Sequence, residues 1–240
     1  MERSAIALEG LHALKHALRF GAQITEILTD DLEKAVLLAD GIADDLRSVL
    51  VERARVVSRD ELRERSTQPI PTRVLAYAQK PTWTLSDCLP VDDRPTILLD
   101  DPRNSKNLGA VVRVGAANGA AGVLVNGPAD FYNPMAIRGA AGLQWAIPCW
   151  GSQSLMEELD NLRTQASFTF VGLDADGKKY HPQDFPYPTI FAFGSERSGL
   201  STGVRSRCDE IVSLPMTPHV SSLNLATTVS AVVYLRTYAL

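Results

Sequence analysis

Ser222 and Asn224 stand where side chains could meet a ligand. Ile211 to Leu214 reads as a short apolar strand, and Pro215 ends its ladder because proline has no amide hydrogen to donate. A polar loop with Thr217, Pro218, His219, Ser221 and Ser222 follows. Leu225, Val229, Val232 and Val233 then recur at helical spacing. A strand that passes through a loop into a helix gathers unpaired backbone amides at one point, which suits a polar or anionic ligand. The Ser222 hydroxyl and the Asn224 amide can face that ligand. Equally, Ser222 can cap the helix and Asn224 can satisfy a turn.

Two earlier stretches have the same build. In DDPRNSKNLGAVVRVGAANGAAGVLV, from Asp100 to Val125, a strand ends at Asp100. Asn107 and Gly109 open a helix, and Arg113 follows as a charge among apolar Val111, Val112 and Val114. An arginine so placed is commonly a salt-bridge partner. In FAFGSERSGLS, from Phe191 to Ser201, an apolar strand ends at Gly194, with Glu196 and Gly199 close behind. A glycine at a strand end lets another group approach the backbone. Neither stretch contains histidine. Their glycines do not follow GxGxxG, and their serines are misplaced for the GxSxG elbow, which counts against a dinucleotide-binding enzyme or a hydrolase. Cys88, Cys149 and Cys208 lack CxxC spacing and read as reduced cytoplasmic thiols, with no metal site expected.

The elements that must hold these loops fall into two blocks. Residues 1–85 read as a small α/β domain. Leu11, Leu14, Ala17 and Leu18 make a helical stripe, Ile24 to Leu28 alternates as a strand, a helix broken at Gly41 lies between Asp31 and Leu50, and Arg55 to Val57 is a strand. Ser58 and Glu61 have capping-box spacing, and Val74 to Ala78 is a final strand. Residues 86–95, polar and proline-bearing, read as a linker. Residues 96–240 alternate strands (Ile97 to Leu99, Gly122 to Val125, Ile147 to Cys149, Phe168 to Leu173, Thr189 to Phe193, Ile211 to Leu214) with helices, one of them running from Ser154 to about Gln165. That alternation predicts an α/β fold, a mainly parallel sheet with helices on both faces and ligands beyond the carboxyl ends of its strands. The formal net charge of -4 argues against a chain that grips nucleic acid by bulk charge. A local cluster, Arg53, Arg55, Arg59, Arg63, Arg65 and Arg73, is either an RNA-facing patch or a solvated surface offset by its acidic neighbours. The N-terminus has no signal-peptide pattern, and Arg113 and Arg138 interrupt the best apolar runs, so no membrane association is expected.

In their order and spacing, NLGAVVR, FGSERSGLS and SLPMTPHVSSLNLA resemble the three motifs of the SpoU (TrmH-like) branch of the SPOUT RNA 2′-O-ribose methyltransferases. The resemblance covers Thr96 to Leu240. Residues 1–80, beginning ALEGLHALKHALRFGAQITEIL, are similar to the L30e-like RNA-binding domain often placed before it. The resemblance implies a C-terminal trefoil knot, a homodimer, S-adenosylmethionine as cofactor, no metal, and RNA as substrate, ribosomal RNA before transfer RNA. It places the functional side chains on Asn107, Arg113, Glu196, Ser222 and Asn224. It places cofactor contacts at Gly194, Leu214, Met216 and Leu223. The chain departs from the pattern in the extra residues Arg103 to Lys106, which make Asn104 an alternative to Asn107. It also has Arg197 in place of a glycine and Ala226 in place of a serine.

On this resemblance, Arg113 either grips a phosphate and lowers the hydroxyl pKa as a cation or acts transiently as base; arginine's persistent charge favours the first role. Ser222 and Asn224 orient ribose and cofactor, and Glu196 ties loops together. A catalytically silent RNA-binding protein of the same fold is the competing expectation.

Overall fold

A computed structural model describes residues 5–68, 72–163, 166–185, 188–220 and 222–238. The chain divides into two compact units, residues 1–82 with 132–146 and residues 83–131 with 147–240. Residues 86–95, expected as a linker, thus lie within the second unit, and Tyr132–Ala146, expected in the C-terminal domain, groups with the first.

The first unit is built from β1 (Ala5–Glu9), α1 (Leu11–Arg19), β2 (Ile24–Thr29), α2 (Leu32–Asp40), α3 (Leu46–Arg53), β3 (Ala54–Val56), α4 (Arg59–Arg65) and β4 (Val74–Gln79). The sheet order is β1-β4-β2-β3. β4 runs antiparallel to both β1 and β2, and β3 runs parallel to β2. The expected stripe of α1 is buried through Leu11, Ala13, Leu14 and Ala17, and Gly41 follows the last turn of α2. Ser58 caps α4 by accepting from the Glu61 amide at 3.0 Å. The Glu61 side chain turns instead to Arg55 and Arg65, so the reciprocal half of the capping box does not form.

The second unit holds β5 (Thr96–Asp100), α5 (Ser105–Ala117) and β6 (Gly122–Asn126). The chain then passes through α6 (Pro134–Ala140), which belongs to the first unit. It returns as β7 (Cys149–Ser152), α7 (Leu155–Arg163), β8 (Thr169–Lys179), β9 (Thr189–Phe193), α8 (Thr202–Arg205), β10 (Glu210–Ser213) and α9 (Leu225–Tyr238). The order is β10-β8-β9-β5-β6-β7, and every pairing is parallel. All residues of β5 and β9 are buried, so both faces are covered. Leu98, Leu124, Phe170, Ile190 and Ala192 share one core with Leu155, Met156 and Leu159 of α7. On the other face, Gly115 of α5 sits against Ile97 and Val123. The parallel α/β sheet read from the sequence is the one observed. Leu85 and Cys88 join the α7-side core, and the Thr96 hydroxyl bonds the Cys88 carbonyl at 2.6 Å.

Two boundaries differ from expectation and one is not described. β7 begins at Cys149 rather than Ile147, because its register is set by pairing with β6. Gln165, expected to end α7, lies outside the described residues. β8 continues past Leu173 to Lys179. Its pairing with β10 jumps between Ile211↔Gly172 and Val212↔Lys178, so residues 173–177 have no partner in β10, while Leu173 still pairs with Phe193 of β9. Among the described residues no helix is long and apolar enough to cross a membrane.

Candidate functional site

Each of the three loops leaves the carboxyl end of a strand, where a parallel sheet leaves room for a ligand. The first follows β5. Asp100, almost fully buried, ends that strand; its Oδ1 accepts from Asn126 Nδ2 at 2.8 Å and its Oδ2 from the Ser201 amide at 2.6 Å. One carboxylate therefore ties β5 to β6 and to the loop after β9. Sequence reading did not single it out, although an acid closing an apolar run is the kind of signal that marks such a brace.

Asn104 caps α5, its Oδ1 accepting from the amides of Lys106 at 2.9 Å and Asn107 at 3.4 Å. That settles the division of labour between the two asparagines. Asn104 holds the helix end, and Asn107, one turn in, projects to the other loops. Asn107 Nδ2 donates a short hydrogen bond to Glu196 Oε1. Asn107 Oδ1 accepts from Asn224 Nδ2 at 3.3 Å. Asn224 Oδ1 in turn accepts from the amides of Ala226 at 2.9 Å and Thr227 at 3.4 Å. The direction of this chain is fixed at both ends, since a carboxylate can only accept and a backbone N–H can only donate. Asn224 is therefore the cap of α9, which corrects the option that Ser222 caps it. α9 starts at Leu225, two residues later than a Ser222 cap requires. Ser222 is exposed instead.

The second loop turns tightly after β9. Ser195 and Gly199 exchange backbone hydrogen bonds of 3.1 and 3.0 Å. A Cβ on Gly194 would lie 2.0 Å from the Gly199 carbonyl carbon, and Gly199 has φ +66°. Gly194 is thus required by the chain's own crossing.

A cleft of about 510 Å³, its open mouth included, is lined by Leu214, Met216, Ser222 and Leu223, by Val212 and Ser213, and by Thr228. It is lined as well by Leu173, Asp174 and Ala175, from the stretch of β8 that has no partner in β10. Three of the four expected cofactor positions line this cleft; Gly194 does not. Two lining hydroxyls are committed, Ser213 to the Gly177 carbonyl at 2.9 Å and Thr228 to the Asn224 carbonyl at 3.1 Å. Among the described residues of the wall the formal charge is Asp174, which accepts from Arg205 Nη1 at 2.6 Å. Arg205 also grips Asp176, and that hydrogen bond holds the Asp176 carboxyl below the ordinary range. Asp174 and Arg205 escaped sequence reading, because DADG looks like a turn until the β10 register places it.

Arg113 stands on α5 with Asn107, exposed, and makes no hydrogen bond or ion pair among the described residues. The structure thus bonds Asn107, Glu196 and Asn224 together, puts Ser222, Leu214, Met216 and Leu223 in one cleft, and leaves Arg113 unengaged. Ser221 of the third stretch lies outside the described residues. Among the described residues no three histidine, cysteine or carboxylate side chains gather as a metal site.

Comparison with known proteins gives these contacts a context. Residues 94–234 match the model of the SpoU rRNA Methylase family. The chain is 29% identical over 232 residues to a 23S rRNA (uridine(2479)-2′-O)-methyltransferase of Streptomyces viridochromogenes, covering 94% of this chain and 79% of that protein. It is 30% identical over 220 residues to an uncharacterized tRNA/rRNA methyltransferase of Mycolicibacterium paratuberculosis, covering 90% and 68%. Among solved structures, the SpoU methyltransferase AviRb from Streptomyces viridochromogenes in complex with AdoMet superposes with a TM-score of 0.80 at 26% identity, covering 98% of this chain and 90% of that one.

Proposed function

The chain belongs to the SpoU rRNA methylase family, and from that premise we propose that it transfers a methyl group from S-adenosylmethionine to a ribose 2′-hydroxyl of RNA, ribosomal RNA before transfer RNA. The observation that carries this reading is the bonded chain Glu196–Asn107–Asn224, which joins three distant segments next to a cleft.

The cleft suits the cofactor. Leu214, Met216 and Leu223 offer apolar surface to the body of such a ligand, and Asp174 offers an acceptor for its hydroxyl and amino donors. S-adenosylmethionine supplies there a methyl already activated on a sulfonium. The chain's own groups then align the hydroxyl and manage its charge, and such alignment is worth about 7–11 kcal/mol. Asn224, clamped between its cap bonds and Asn107, and Ser222 on the cleft wall orient the ribose and the carboxylate end of the cofactor. Arg113, without a partner among the described residues, grips a phosphate and favours the ionised hydroxyl as it loses its proton. Glu196 holds the loop after β9 against α5 and takes no part in proton transfer.

The same reading includes a trefoil knot in the C-terminal segment, a homodimer, a cytoplasmic location and an L30e-like, RNA-binding role for residues 1–85. Support for the dimer comes from Tyr234 and Tyr238 of α9, whose ring centroids lie 5.1 Å apart while the residues are 54% and 58% exposed. Mass spectrometry of nucleosides from a deletion strain tests the substrate. Loss of one 2′-O-methylated nucleoside from ribosomal RNA is expected. Loss from transfer RNA moves the substrate. No loss, together with no rise in melting temperature on adding S-adenosylmethionine, leaves the silent RNA-binding protein.

A further inference from the structure

Positions seven apart on an α-helix share a face about 10.5 Å apart along the axis. Lys106 and Arg113 of α5 are such a pair, with the small Ala110 between them on that face. Both cations are exposed, and among the described residues neither makes an ion pair or side-chain hydrogen bond. Arg197 is a further cation of this kind. It follows Glu196, is exposed, and has no partner among the described residues. The Asn107–Glu196 bond brings its loop against the first turn of α5. Lys106 and Arg197 therefore adjoin the two ends of one hydrogen bond, and the carboxylate of that bond, Glu196, is already engaged by Asn107.

The arginines of the first unit are placed otherwise. Arg55 and Arg65 share Glu26 and Glu61, Arg59 and Arg73 share Asp30, and Arg63 pairs with Asp60. Arg53 donates to the Ile24 carbonyl at 2.7 Å. A phosphate arriving at Arg55, Arg59, Arg63, Arg65 or Arg73 competes with a carboxylate already in place. At Lys106 and Arg197 it displaces only water and counterions, and release of counterions is what drives phosphate binding.

We propose that Lys106 and Arg197 are phosphate-gripping residues that flank the Asn107–Glu196 bond, and that this collar, rather than the arginine cluster at residues 53–73, supplies the salt-dependent grip on RNA. The inference rests on the RNA reading above but not on methyl transfer. The partner is a single-stranded RNA backbone, recognised by charge alone.

The test is the slope of log K against log salt for a fluorescein-labelled oligouridylate, read by anisotropy on the full chain. Removing one phosphate-binding cation should flatten the slope for a single strand by about 0.7. Lys106→Gln and Arg197→Gln should each do so, and the double variant should flatten it by about 1.4. Arg55→Gln combined with Arg65→Gln should leave the slope unchanged. Melting curves of all variants confirm the fold. An unchanged slope in the Lys106/Arg197 double variant, or a flattened one in the Arg55/Arg65 variant, overturns the proposal. Absence of salt-dependent binding by the unaltered chain overturns the RNA reading and this inference with it.

Discussion

Replacing Asn224 by alanine should cost stability and activity together, whereas replacing Ser222 should cost activity alone. Asn224 Oδ1 caps α9 through two backbone amides, and losing such a cap costs about 1 kcal/mol, within a range of roughly 0.5–2. Its Nδ2 bond to Asn107, exposed and 3.3 Å long, adds about 0.5 kcal/mol. The sum, about 1.5 kcal/mol, lowers the melting temperature by roughly 3–6 °C for a chain of this size. Ser222 is exposed and caps nothing, so Ser222→Ala should stay within about 0.5 kcal/mol of the parent. Asn224→Asp separates the two roles of the asparagine. Aspartate caps as well as asparagine, but it replaces a donor with a carboxylate facing Asn107 Oδ1, close to Glu196. Because the cap is kept, its melting temperature should fall less than that of Asn224→Ala, while methyl transfer is lost. The assay is paired thermal denaturation and S-adenosylmethionine titration on the three variants, with turnover measured beside them. If Ser222→Ala lowers the melting temperature as much as Asn224→Ala, the capping assignment is wrong and the argument for a rigid asparagine chain fails.

Arg113→Ala should abolish methyl transfer while leaving cofactor affinity nearly intact, measured by calorimetry beside turnover; equal loss of both would make it a structural arginine. Gly194→Ala should remove cofactor binding, because its Cβ would meet the Gly199 carbonyl carbon at 2.0 Å and the loop must shift; binding at parental affinity would contradict that crossing. Burial disfavours the thiolate and pushes Cys88 up to about 12 and Cys208 up to about 11. Native protein at mildly alkaline pH should therefore resist iodoacetamide at both positions, and modification should appear only on unfolding; rapid labelling of Cys88 before unfolding would contradict its place in the core.

What the sequence disclosed follows from how each feature is specified. The short apolar runs Ile97 to Leu99 of β5 and Ile190 to Phe193 of β9, set among helical segments, read as strands buried on both faces, so the parallel sheet was legible. Asn107, Glu196 and Asn224 were legible as types at fixed spacing, although nothing in the spacing said that they bond to one another. The α9 cap was ambiguous because serine and asparagine both cap well and only the true helix start decides between them. The outer half of β8 was hidden, since DADGKK has poor strand propensity and joins the sheet only through a shifted register with β10. In the arginine cluster, the Arg65–Glu61 pair is local and readable. An offset by neighbouring acids was one of the two readings of the sequence, but the partners Glu26 and Asp30 come from β2 and its end and emerged only with the fold.

The most direct measurement of the central claim is transfer of labelled methyl from S-adenosylmethionine to ribosomal RNA from a deletion strain, followed by complete alkaline hydrolysis. A 2′-O-methyl group blocks cleavage of the adjoining phosphodiester. The account therefore predicts label in alkali-resistant dinucleotides with the parent chain and none with Arg113→Ala or Asn224→Asp. Label recovered in ordinary mononucleotides would place the methyl on a base and contradict the account.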